Sequence, residues 1–189
     1  MPPDPEIFAL AQQVGERLRR QGRSLAVAES CTGGMLGAAL TDVPGSSTYF
    51  LGGVISYADR VKVDQLQVPE ATLRQYGAVS EQTAAAMARG VRQLLRADIG
   101  VSITGVAGPD AEDAKPVGLT FIGIVAPTLP STNVSNARLA LKRRSRGPTG
   151  PASGGGESVH RFQWTGDRWD NRRSSVIAAL ELLVQTLGR

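Results

Sequence analysis

The chain has 189 residues, 41% apolar and 20% charged, with a formal net charge of +4; it is long enough to bury one core and has the composition of a soluble globular domain. No apolar run reaches the roughly 18 residues of a membrane helix. One cysteine, Cys31, and one histidine, His160, exclude an internal disulfide and a Cys/His zinc site and leave a single imidazole for any Ser-His-Asp triad.

The N-terminus, MPPDPEIF, lacks a basic region ahead of a hydrophobic stretch, so no signal peptide and a cytoplasmic address are expected. Asp4-Pro5-Glu6 reads as an N-cap, a first-turn proline and a favourable acid. Ile7, Leu10, Ala11, Val14 and Leu18 follow at helical spacing, and Gly22 ends the helix. Residues 24–28 predict a short strand, 33–40 a helix of small residues, and 44–47 a turn. Residues 49–57 form a β-rich run with a bulge or close approach at Gly52-Gly53. Asp59 is expected to cap a helix through Leu66, Pro69 to start another closed by Gly77, and Ser80 to cap a long one through Arg96. A strand over 99–103 leads into a glycine-rich turn at 105–109, and a second strand covers 117–126. The segment 127–157, rich in Pro, Ser, Gly and Arg, predicts a long mobile loop. A strand over 158–164 holds His160, and Asp167 caps the last helix. Strands separated by helices indicate one α/β domain over 1–189, with helices on both faces of a mixed sheet.

The positive charge is local. Arg138, Lys142, Arg143, Arg144 and Arg146 carry +5 with no acid among them, so the rest of the chain stands at −1. Nucleic-acid binding across the whole surface is therefore disfavoured, and contact with nucleic acid or an acidic partner is confined to 138–146. A solvated insertion is favoured over a docking tail.

Three stretches carry candidate chemistry. AESCTGG, from Ala28 to Gly34, follows a strand and opens a helix. The first amides of a helix lack internal partners and favour an anion, so Ser30, Thr32, Gly33 and Gly34 are candidates to cradle a phosphate or oxyanion. A capped, tightly packed helix start explains the same residues. The loop matches neither G-x-x-x-x-G-K-[ST] nor G-x-G-x-x-G, which disfavours nucleoside triphosphates and dinucleotides. SITGVAGP, with Thr104, Gly105 and Gly108, repeats that character, and two such turns at strand ends form a crevice. Lys62 is one of three lysines beside 18 arginines. A desolvated lysine can lose its proton and activate a serine, whereas an arginine cannot. In GDRWDNRR, Arg168 and Arg172 stand four apart on one helix face, suited to a phosphate or carboxylate or simply to solvent. Cys31 reads as a small buried filler, although a helix start can lower a thiol's pKa.

Read together, AESCTGG, PGSSTYF, GGVISYADRVK, GAVSEQTAAAMA, SITGVAGPD, KPVG and GDR resemble the CinA C-terminal domain family, the nicotinamide mononucleotide deamidases. They come in the family's order from about Ala28 to Arg172. The partner domain that precedes this one in longer members is missing, so the chain resembles the stand-alone form. The resemblance implies a three-layer α/β/α sandwich on a mixed, mostly parallel sheet. It also implies cofactor- and metal-independent hydrolysis of the carboxamide of nicotinamide mononucleotide to the acid and ammonia, in pyridine nucleotide recycling. Ser30, Ser47, Tyr57, Lys62, Thr104 and Arg168 occupy the family's functional positions. The expected mechanism has Ser47 attack the carboxamide with neutral Lys62 taking its proton, and Ser30 as the competing nucleophile. Thr104, the Gly105–Gly108 turn and Arg168 would hold the ribose phosphate, and Tyr57 the pyridinium ring. The implied partners are the small nucleotide and further copies of the chain, in a dimer or larger, with no membrane.

Two departures stand out. The family's usual Asn-containing stretch after the tyrosine reads Ala58-Asp59-Arg60-Val61 here, and segment 127–157 is longer than the family's. A different class of function, a non-catalytic binding module tied to competence or DNA damage, would use the basic segment instead. A phosphohydrolase would need a divalent metal, for which Glu29, Asp110 and Asp113 are only scattered ligands.

Overall fold

The computed structural model describes residues 3–127 and 155–188. Among the described residues, six helices and five strands follow one another as α1 (Pro5–Gln21), β1 (Leu25–Glu29), α2 (Met35–Thr41), β2 (Phe50–Ile55), α3 (Asp59–Leu66), α4 (Glu70–Tyr76), α5 (Glu81–Leu94), β3 (Ile99–Gly105), β4 (Leu119–Pro127), β5 (Gly155–Gln163) and α6 (Arg168–Thr186). A single 3₁₀ turn, Ser46–Thr48, precedes β2.

The strands form one sheet in the order β2-β1-β3-β4-β5. β1 pairs in parallel with both β2 and β3, while β3–β4 and β4–β5 are antiparallel. Four strands thus run in one direction and β4 alone opposes them, a mixed sheet mostly parallel in strand direction. β1 is flanked on both edges and covered on both faces, which is why LAVAE is buried at every position. Its side chains alternate between the two outer layers. Leu25 and Val27 join the core under α1, α2 and α6 with Leu18, Leu36, Leu40 and Leu180. Ala26 and Ala28 meet Leu66, Met87 and Val91 of α3 and α5. The three-layer α/β/α arrangement follows from this alternation.

Helix ends largely match the capping chemistry of the sequence. The Asp4 carboxylate accepts from the Glu6 and Ile7 amides, and Gly22 closes α1 at φ 61°. Ser80 caps α5 and Asp167 caps α6. Two boundaries differ. α2 starts at Met35, because Gly33 and Gly34 take φ values of 60° and 96° that no right-handed helix allows. Asp59 is the first helical residue of α3, not its cap; Ala58 holds the cap position without a side-chain bond.

The sheet also redraws the segment expected as a loop. Residues 155–157 belong to β5, and Gly155 pairs with Pro127 at the last rung of the β4–β5 ladder. The basic cluster at 138–146 lies outside the described residues.

The start of α1 is tied to α6. Arg173 Nε donates to Asp4 Oδ2 at 2.7 Å, and Arg173 Nη2 donates to Asp4 Oδ1 at 3.1 Å and Glu6 Oε2 at 2.7 Å. The hydrogen bond from Arg173 is the main cause holding the Asp4 carboxyl below its usual 3.8, helped by the cap amides and opposed by burial. A depressed carboxyl stabilises the fold fully above its unfolded value and loses that contribution as pH falls through its folded value. Asp4→Asn, which keeps the cap, is therefore expected to melt below the unsubstituted protein at pH 6, with the gap closing as the pH falls below the usual 3.8. Asp4→Ala is expected to lose about 1 kcal/mol of capping besides.

Candidate functional site

Strand order fixes where a ligand can enter. From β1 the chain passes to β2 on one side, then crosses to β3 on the other. The loops leaving the C-terminal ends of β1 and β3 therefore diverge and leave a crevice. A cavity of about 100 Å³ opens there, lined by Ser30 and Cys31 after β1, Tyr57, Asp59 and Lys62 after β2, and Gly105 to Gly108 after β3, with Asp110, Glu112 and Arg168 at its rim. Pockets that bury a drug-sized ligand hold about 300–1,000 Å³, so a nucleotide-sized molecule would be enclosed in part, its remainder lying at the mouth.

Ser30 stands where β1 ends, its amide bonded to the Ile103 carbonyl of β3 at 2.9 Å. Lys62 sits one turn into α3 with its side chain 1% exposed. Its Nζ donates to Asp59 Oδ1 at 3.1 Å and to the Tyr57 carbonyl at 3.3 Å. α3 can lie deep enough for this because α5 offers Gly90, where a Cβ would collide with the Leu66 carbonyl. Cys31 also faces the cavity, but burial pushes its thiol up to about 12, outweighing its own backbone hydrogen bond; Glu29 adds to the rise and the two nearby arginines oppose it. It is held as a neutral thiol, not an activated nucleophile.

The wall is braced from α6. Arg168 Nη1 donates to the Gly108 carbonyl at 2.5 Å, and Nη2 to the Tyr57 hydroxyl at 3.2 Å. Four residues on, Arg172 Nη2 donates to the Thr32 carbonyl at 2.9 Å. The two arginines share a face as their spacing requires, yet each holds a different loop. Asn171 between them is buried, donates to the Ala107 carbonyl at 3.0 Å and accepts from the Gly166 amide at 3.1 Å.

Several expected site residues are not brought to the cavity. Ser47 lies exposed in the 3₁₀ turn before β2, whereas Lys62 follows the other end of that strand. Six strand residues at about 3.3 Å each put on the order of 20 Å between the two within one chain. Thr32, Gly33 and Gly34 do not form an open anion cradle, because the helix start they lead into is already occupied. Glu29, 1% exposed, accepts from the Gly34 and Leu36 amides at 3.1 Å each and from Gly37 at 2.8 Å. The site for an external anion is filled by the chain's own carboxylate. Thr104 is fully buried and donates to the Ala78 carbonyl at 2.8 Å, tying β3 to the approach of α5. Ser30, Tyr57, Lys62, Gly105, Gly108 and Arg168 do converge.

Two positioning residues escape a reading by motif. Glu29 carried a signal in its strand: a carboxylate at the end of an otherwise apolar run must find donors, and the glycines that follow supply bare amides. Asn171 carried a weaker one, a polar side chain four residues before the buried Ser175. Among the described residues no three His, Cys, Asp or Glu side chains group as a metal site, and no helix is long and apolar enough to cross a membrane.

The chain is similar to several known proteins. The profile of the CinA C-terminal domain family matches residues 7–146. A putative competence-damage inducible protein of Halothermothrix orenii is 54% identical over 117 residues, covering 61% of this chain and 28% of that protein. A CinA-like protein of Synechococcus sp. (strain CC9311) is 59% identical over 115 residues, covering 60% and 27%. The chain thus spans little more than a quarter of the length of the curated relatives it matches. Among solved structures, the competence/damage inducible protein CihA from Agrobacterium tumefaciens superposes with a TM-score of 0.81 at 33% identity over all of both chains. A CinA superfamily protein from Klebsiella pneumoniae gives 0.79 at 28%, covering 96% of this chain and 98% of that one.

Two outcomes test the geometry. Gly90→Ala is expected to lower unfolding free energy in urea by about 1–3 kcal/mol, since the added methyl meets backbone that cannot turn aside. Iodoacetamide at pH 7.5 is expected to leave Cys31 unmodified in the folded protein and to alkylate it fully in guanidinium, read by mass spectrometry.

Proposed function

The chain belongs to the CinA C-terminal domain family, and from that membership we propose that its cavity hydrolyses the carboxamide of nicotinamide mononucleotide to nicotinic acid mononucleotide and ammonia. The observation that carries this reading is a buried lysine and a serine opening on one cavity at the C-terminal ends of β1 and β2. Of the two candidate serines, only Ser30 lies there, so it takes the nucleophile's role.

In the proposed reaction Ser30 Oγ attacks the carboxamide carbon while neutral Lys62 Nζ accepts its proton. The negative charge that develops on the amide oxygen is to be met by backbone amides near Ser30. The C–N bond breaks as Lys62 returns the proton to the departing nitrogen, giving ammonia and an acyl ester on Ser30. Water, deprotonated by Lys62, then cleaves the ester and restores the serine. Tyr57, 61% exposed, offers its ring at the mouth to the pyridinium, and Arg168 has N–H groups left beyond its two wall bonds for the phosphate. Assembly into a dimer or larger homo-oligomer belongs to the same proposal; the free edge of β2, with Leu51 and Ile55 exposed, supports it. The alternative binding-module reading rests on 138–146, outside the described residues, and draws nothing from the cavity.

Purified protein is expected to release ammonia from nicotinamide mononucleotide in a coupled assay. Ser30→Ala and Lys62→Met should each lower kcat/KM by about 10²–10⁴-fold, with Ser47→Ala near wild type. A nicotinoyl adduct trapped by acid quench should map to Ser30. Folded protein that releases no ammonia, or an adduct on Ser47, would overturn the corresponding assignment.

A further inference from the structure

The proposed base is held by a carboxylate. Lys62 is tied to the Asp59 carboxylate at 3.1 Å, a contact that favours a charged amine, whereas taking a proton from Ser30 needs a neutral one. The charged groups around it come from three places. Asp59 stands on the same helix, Asp110 and Glu112 on the segment after β3, and Arg168 on α6. α5, packed against α3, contributes the apolar Ala86, Met87 and Gly90. Three carboxylates against two cations leave the lining at a formal −1, so the cavity favours positive charge in its ligand. The Asp59 side chain is 58% exposed while its partner is 1% exposed. The pair therefore straddles the boundary, its anion open to solvent and its cation at the inner wall.

We propose that Asp59 is the residue that selects a positively charged ring in the amide substrate, and that by taking up that ring it frees Lys62 to act as base. This rests on the hydrolytic reading of the cavity. A pyridinium entering past Tyr57 gives Asp59 a second cation and places a like charge near the ammonium; both effects favour the neutral amine. Lys62 then loses one proton to solvent through the exposed Asp59 side of the mouth, before it accepts the proton of Ser30. An uncharged aromatic amide leaves the Asp59–Lys62 pair intact and Lys62 protonated. The selection is thus for ring charge, made by the side chain that departs from the family's usual stretch.

Calorimetric binding to the Ser30→Ala protein, which prevents turnover, tests this with two probes. These are nicotinamide mononucleotide and its dihydro form, which shares the ribose phosphate but has an uncharged ring. The cationic probe is expected to bind about tenfold more tightly, a difference of about 1.4 kcal/mol. Titrations in buffers of differing ionisation enthalpy should show proton release with that probe and none with the dihydro form. Adding Asp59→Asn should bring the two affinities within about twofold by weakening the cation alone, and unchanged binding of the dihydro form shows the fold intact. A preference that survives Asp59→Asn overturns the proposal while the hydrolytic reading stands. So does binding of the cation to Ser30→Ala without proton release, whether or not the second variant folds. Failure of Ser30→Ala to bind either probe, with no ammonia released by the unsubstituted protein, overturns both.

Discussion

A carboxylate buried at the end of a central strand must be surrounded by donors or it unfolds what surrounds it. Glu29 meets that demand with three amides from the turn and helix that follow it, so the same short segment ends β1, bends through two glycines of positive φ and starts α2. Ser30 is the first residue of that bend. Its position is therefore fixed from behind by an internal anion, and a helix start that elsewhere would bind a ligand becomes scaffolding. Leaving such a buried carboxylate short of a donor costs upward of about 1–3 kcal/mol.

The remaining walls are set by side chains reaching from distant parts of the chain to backbone carbonyls. Arg168 takes Gly108, Asn171 takes Ala107, Arg172 takes Thr32 and Thr104 takes Ala78. Each contact uses a polar side chain to hold a loop, while Ser30 and Lys62 stand at the cavity itself. This division explains why Thr104, Asn171 and Arg172 lie near the cavity without lining it. They position backbone, and the cavity is the space that positioned backbone encloses.

Much of the fold was legible because its signals are local. Asp4, Gly22, Ser80 and Asp167 mark helix ends by chemistry that acts within four residues, and β1 declares its depth by having no polar side chain before Glu29. The site was legible only in part, because proximity across a sheet is not local. Ser47 and Ser30 look equivalent in sequence, two small hydroxyls in glycine-containing turns. Only the direction of β2 puts one at the open end of the sheet and the other at the far end. Thr32, Gly33 and Gly34 read as an anion cradle until the carboxylate five residues before Gly34 is seen to fill it. Thr104 read as a ligand group, and its hydroxyl is spent on a neighbouring loop. Asp59 appeared as a departure from a familiar pattern; its meaning needed the third dimension, in which its carboxylate meets Lys62.

The ladder between β4 and β5 closes with Pro127 opposite Gly155. Those two positions lie side by side at the end of the sheet where β3 begins, the length of a strand away from the crevice. The two strands thus end as neighbours at that rung. The number of residues between them is consequently decoupled from the register that delivers Arg168 to the rim, because nine paired rungs restore the alignment before the chain turns into α6. The two ends of the sheet are thus separately built: the rung at Pro127 and Gly155 closes one, and the loops after β1 and β3 open the other.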